Sequence, residues 1–94
     1  MQMSDTVTLS EDVVAREVAG ETVLLNLASG TYFGLNEIGG LIWKWLDEED
    51  SCSLAEISQR ITTQFKISAE QAQRDVLDLA EALAENGLLE AESV

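Results

Sequence analysis

The feature that most constrains this chain is a change of hydrophobic period at Asn36. Before it, Val, Leu, Thr and aromatic residues run in short blocks cut by Ala19-Gly20 and by Ala28-Ser29-Gly30, as in strands joined by hairpins. After it, apolar residues recur every three or four positions, the spacing of helices with one buried face. The first part predicts three short antiparallel strands, about Val13 to Val18, Glu21 to Leu27 and Thr31 to Leu35. There is no proline, so glycines and polar clusters mark the element ends.

Three helices are predicted from Asn36 onward. Asn36 caps the first, in which Ile38, Leu41, Ile42, Trp45 and Leu46 share one side; Gly39-Gly40 lets its backbone come close to the sheet, and it ends in the acidic run Asp47 to Asp50. Ser53-Leu54-Ala55-Glu56 is a capping box that opens the second, with Leu54, Ile57, Ile61 and Phe65 on its buried stripe. Ser68-Ala69-Glu70-Gln71 repeats the pattern and opens the third and longest. This helix runs to Asn86, with Gly87 as a left-handed terminator and Ala72, Val76, Leu79, Ala80 and Leu83 facing inward. Three strands followed by three helices predict an α+β domain of winged-helix-turn-helix-like outline, with the helices on one face of the sheet. At 94 residues, residues 1–94 are expected to form one domain around a core spanning about 13–89.

Charge and composition narrow the function. Eighteen acidic and five basic residues give a net charge of -13, which disfavours contact with a phosphate backbone or an anionic membrane surface. A DNA-reading winged helix needs outward Arg and Lys, yet Arg74 is the one basic residue between Ser68 and Asn86, against Glu70, Asp75, Asp78, Glu81 and Glu85. No apolar run approaches the roughly 20 residues of a membrane span, and Met1 to Leu9 lacks a signal-peptide pattern. A cytoplasmic location is the expectation. Histidine is absent and Cys52 is the single cysteine, which removes intrachain disulfides, Cys/His zinc sites and nucleophile–histidine pairs. The acidic residues show no metal-loop spacing. Neither a catalytic residue nor a metal or other cofactor is expected.

Four features could carry function, each with a structural counter-reading. The segment Thr31-Tyr32-Phe33-Gly34-Leu35 is uncharged and lacks the lysine or proline that protects an exposed edge; it suits strand addition by a peptide, or else it is shielded by Met1 to Glu11 or by a second copy. Leu77 and Ala84 widen the apolar arc of the third helix, with Gln73, Arg74 and Glu81 as a polar rim. Leu77 is then either one wall of a groove or a contact between helices. Trp43 and Trp45 lie about 200° apart on their helix, so one of them is expected at a rim. Cys52, in a predicted loop beside a helix start, could have thiolate character or be incidental.

The order of short motifs is more specific than any of them alone. Thr22-Val23-Leu24-Leu25-Asn26-Leu27, Gly30-Thr31-Tyr32-Phe33-Gly34-Leu35-Asn36, Gly39, Ile42-Trp43 and Leu46, then Arg74-Asp75-Val76-Leu77, Leu79, Leu83 and Gly87-Leu88-Leu89, together resemble PqqD-like proteins over roughly Val13 to Leu89. The resemblance implies a non-catalytic element that binds the leader segment of a ribosomally made precursor peptide and presents its core to modifying enzymes. It further implies that the leader adds as a strand between the third strand and the third helix. Thr31, Tyr32, Phe33, Gly34 and Leu35 would supply the edge, and Gln73, Arg74, Leu77, Asp78 and Glu81 the helical wall. Within the family the pattern is most similar to the stand-alone recognition proteins of lasso-peptide clusters, which implies a leader peptidase and an ATP-dependent cyclase as partners. The chain is expected as a monomer or weak homodimer.

Two other readings remain at this level. An adaptor or inhibitor could bind a folded protein through the same edge. An acyl-carrier-like protein would use Ser51 within Asp50-Ser51-Cys52, although a strand-rich first third does not suit a carrier bundle.

Overall fold

In a computed structural model, residues 1–49 and 51–92 are described. The predicted meander is present as β2 (Val13–Val18), β3 (Glu21–Asn26) and β4 (Thr31–Leu35), in that spatial order and antiparallel throughout. The β2–β3 turn places Ala19 at φ 52° and Gly20 at φ 84°. Two successive left-handed residues match the twist of a two-residue hairpin.

The helices are α1 (Glu37–Glu48), α2 (Leu54–Gln64) and α3 (Ala69–Glu85), and each is capped as its sequence specifies. The side chains of Asn36, Ser53 and Ser68 accept from the backbone N–H of Gly39, Glu56 and Gln71 at 2.8, 3.2 and 3.1 Å. Gly87, at φ 71°, follows the α3 cap Asn86. Helix α1 ends at Glu48, before the predicted acidic stop is complete, and Asp50 lies outside the described residues.

The α1 backbone approaches the sheet through Gly40. A Cβ added there would lie 2.6 Å from Thr22 Oγ1, so no larger residue fits without movement. The core joins Leu24 and Leu35 of the sheet to Ile42, Trp43 and Leu46 of α1, Leu54, Ile57 and Ile61 of α2, and Ala72, Val76, Ala80 and Leu83 of α3. Trp43, left off the predicted stripe, is buried, whereas Trp45 is half-buried at its margin. Helix α1 packs against both the meander and the N-terminal segment, so its covered arc is wider than one stripe.

A second sheet was not expected. Strand β1 (Thr6–Leu9) lies between β5 (Cys52–Ser53) and β6 (Leu89–Glu92), pairing Val7 with Cys52 and with Ala91. These strands have two to four residues, too short for alternation to be read. Leu88 and Leu89 are buried as the chain enters β6, and Val7 is inaccessible. The N-terminal segment is therefore part of the core's lining and does not shield β4.

Candidate functional site

Asn26 joins the elements of the expected groove. It is 7% exposed, at the end of β3 on the inward side with Thr22 and Leu24. Its Oδ1 accepts from the backbone N–H of Ala28 and Ser29 at 3.0 and 3.3 Å, fixing the turn into β4. Its Nδ2 donates to the carbonyl oxygens of Asn86 and Gly87 at 3.1 and 3.4 Å, just beyond α3. One amide thus satisfies four backbone groups and ties the β3–β4 turn to the end of α3. Its importance was missed in the sequence. The available signal was parity: two residues beyond Leu24, Asn26 must face inward, and an inward polar residue needs partners.

Strand β4 pairs with β3 and, among the described residues, with no strand on its other edge. Thr31, Tyr32 and Gly34 are exposed, Phe33 is half-buried against the core and Leu35 is buried. On α3, Leu77 is half-buried at the margin of the same core, which is intermediate between its two readings. Gln73, Arg74, Asp78 and Glu81 are exposed. Phe33 and Leu77 therefore share one apolar core at its edge, while the four polar residues stand on the solvent side of α3. Arg74 enters no ion pair among the described residues.

An open cleft of about 940 Å³ lies elsewhere, lined by Val13, Ala15 and Glu17 of β2 and by Leu41, Trp43 and Lys44 of α1. It exists because α1 crosses β3 and β4 and leaves the inner face of β2 uncovered. Strand addition draws on backbone groups along an edge and needs no deep cavity.

Two of the alternative readings lose support. Cys52 is buried in β5, with Sγ 3.5 Å from Glu56 Oε2. Burial first, then the carboxylates of Glu49 and Glu56, push its thiol above the ordinary range, which opposes thiolate character. Ser51 precedes a strand, and the residue capping α2 is Ser53, so the carrier-protein reading loses its helix-start serine. Arg60 is also committed: its guanidinium is paired with Glu49 through both carboxylate oxygens and lies 5.6 Å from the Trp45 ring.

Comparison with known proteins gives concordant matches. The family described as Coenzyme PQQ synthesis protein D (PqqD) matches residues 21–89. The solved structure of TbiB1 in complex with the TbiA(beta) leader peptide is 36% identical, covering 93% of this chain and 99% of that one, with a TM-score of 0.81. A lasso peptide synthetase B1 complexed with its leader peptide is 28% identical, covering 89% and 96% respectively, with a TM-score of 0.77. No curated protein matches the chain.

Proposed function

The chain belongs to the PqqD family, and from that premise we propose that it is a non-catalytic recognition element for the leader of a ribosomally made precursor peptide. The observation that carries this reading is the edge of β4 that no strand among the described residues pairs with, next to the half-buried Phe33 and on the hairpin that Asn26 ties to α3. An extended leader hydrogen-bonds along Thr31 to Leu35 as a fourth strand, and its alternate side chains reach inward toward Phe33 and Leu77. Gln73, Arg74, Asp78 and Glu81 form the polar rim on α3. The similar proteins solved in complex with leader peptides support leader binding.

Chemistry is left to partner enzymes, a leader peptidase and a cyclase, which receive the peptide with its core segment free. This exchange takes place in the cytoplasm. The chain acts as a monomer, because the edge that would pair two copies is the edge the leader occupies.

The test is a titration of the synthetic leader encoded beside this chain, with the folded precursor-processing enzymes assayed in parallel. Saturable one-to-one binding of the linear leader supports recognition. Binding of an intact folded partner, with none of its linear segments or the leader retained, would replace this reading by a protein adaptor.

A further inference from the structure

Leu41 stands apart from the other apolar residues of α1. Its spacing puts it on the inward stripe with Ile38 and Trp45, yet it is half-buried and, unlike those two, does not pack against the core. It lines the open cleft of about 940 Å³ together with Val13 and Ala15 of β2. Val13, Ala15 and Glu17 lie on the inner side of the sheet, because they pair with Asn26, Leu24 and Thr22. Leu9 and Phe65, half-buried at the margin of the core, complete the apolar lining.

The shape of the cleft follows from widths. Three strands span roughly 14 Å, and one helix with its side chains covers about 10 Å. Helix α1 is used on β3 and β4, so the layer over the sheet is one helix short at β2. A helix beside α1, at the usual interaxial distance of about 8–10 Å, rests on Val13 and Ala15 and against Leu41. Its length is also set: β2 extends about 20 Å and the rise from Glu37 to Asp47 is about 15 Å, which correspond to roughly 10–13 helical residues. An incoming strand fits less well. No strand among the described residues pairs with the other edge of β2, but Arg16 and Glu17 put charge on that strand, which blunts an edge, whereas β4 carries none.

Charge selects among helices. Glu11, Glu17, Glu37 and Asp47 line the cleft against Arg16 and Lys44, on a chain of net charge -13. The four carboxylates are exposed and enter no ion pair among the described residues. A second copy of so acidic a chain is repelled. We infer that the cleft between β2 and α1 seats an amphipathic helix of a partner protein, with a narrow apolar stripe flanked by Lys or Arg, in the helix-in-groove mode. One face of so short a helix buries less than the roughly 1,200 Å² of a standard interface, so the association is transient. The seat lies at the opposite edge of the meander from β4, and it does not depend on the leader-binding reading.

The experiment uses the full chain and synthetic peptides of about 14 residues. One forms a helix with a Leu stripe flanked by Lys, the second has Glu in place of Lys, and the third scrambles the Leu/Lys composition so that no stripe forms. Amide NMR is expected to show saturable shifts from the Leu/Lys helix at Val13 to Glu17 and Leu41 to Asp47, with affinity at least tenfold above both controls. Ala15→Arg fills and charges the floor of the cleft, and Glu17→Lys with Asp47→Lys reverses its rim; Lys in the last turn of α1 also suits the helix dipole. Each variant should weaken the Leu/Lys helix at least fivefold while circular dichroism stays native and leader affinity stays within twofold. Equal binding of the scrambled peptide would reduce the effect to net charge and overturn the inference. Shifts on another face would do the same, as would displacement of the helix by the linear precursor peptide, which assigns the cleft to that peptide. A chain that binds the helix at this cleft but no leader anywhere would uphold the inference and remove the function proposed above.

Discussion

Asn26 and Gly87 constrain each other from both sides: the Asn26 Nδ2 lies 3.4 Å from the Gly87 carbonyl oxygen, and a Cβ at Gly87 would come within 3.0 Å of that same nitrogen. Gly87, just past the α3 cap, has a left-handed backbone at φ 71°, and the amide that positions the β3–β4 turn leaves little room for a larger side chain there. Replacing Asn26 with Ala leaves the turn N–H groups and the terminal carbonyls without their shared partner. The expected cost is about 1–3 kcal/mol in urea denaturation, together with weaker leader binding, since the turn entering β4 and the end of α3 are no longer tied. Asn26→Asp should be at least as damaging, because a carboxylate faces two carbonyl oxygens. Full stability in both variants would remove the tie from the account.

Close approach of α1 to β3 gives a second prediction. Gly40→Ala is expected to destabilise by about 1–3 kcal/mol through overpacking against Thr22 Oγ1. Adding Thr22→Ala removes that atom and should recover part of the loss. Equal stabilities for the single and double variants would mean that the contact is absent in solution.

Leu77 and Arg74 separate apolar from electrostatic contributions. Leu77→Asp should weaken leader binding at least tenfold while far-UV circular dichroism stays native, with a modest fall in stability because the side chain is half-buried. Unfolding would assign Leu77 to the core alone. Arg74→Glu should weaken an acidic leader by less than about 1 kcal/mol and spare a neutral one. No change with an acidic leader would take Arg74 out of the site.

Glu49 predicts a pH dependence. The hydrogen bond from Arg60, supported by its charge, holds the Glu49 carboxyl below the ordinary value of 4.5. A carboxylate whose folded pKa is depressed contributes stability above its unfolded pKa and loses it as pH falls through the folded value. The stability difference between the unaltered chain and Glu49→Gln should be constant from pH 7 to 5 and shrink below about 4.5. A difference that grows with acidity would contradict the pairing.

Legibility in the sequence followed element length and period. The meander and three helices were readable because Val13 to Leu35 has clear turn residues and each helix carries its own cap. Strands β1, β5 and β6 were not, since Val7, Cys52 and Leu89 gain meaning only when distant segments meet. Of the candidate site, the β4 edge was visible as an unprotected uncharged run, and the half-buried state of Leu77 sits between the two readings of a wide apolar arc. Asn26 was hidden in a motif until its four backbone partners, two of them 60 and 61 residues away, were in view.

The most direct test of leader recognition is an amide NMR titration of the encoded leader into the isotopically labelled chain. Strand addition predicts saturable shifts concentrated on Thr31 to Leu35 and on Gln73 to Ala84, with new protection of β4 amides from solvent exchange. Shifts confined to Val13 to Glu17 and Leu41 to Asp47 would instead place the peptide in the cleft beneath β2, and would contradict recognition at the β4 edge.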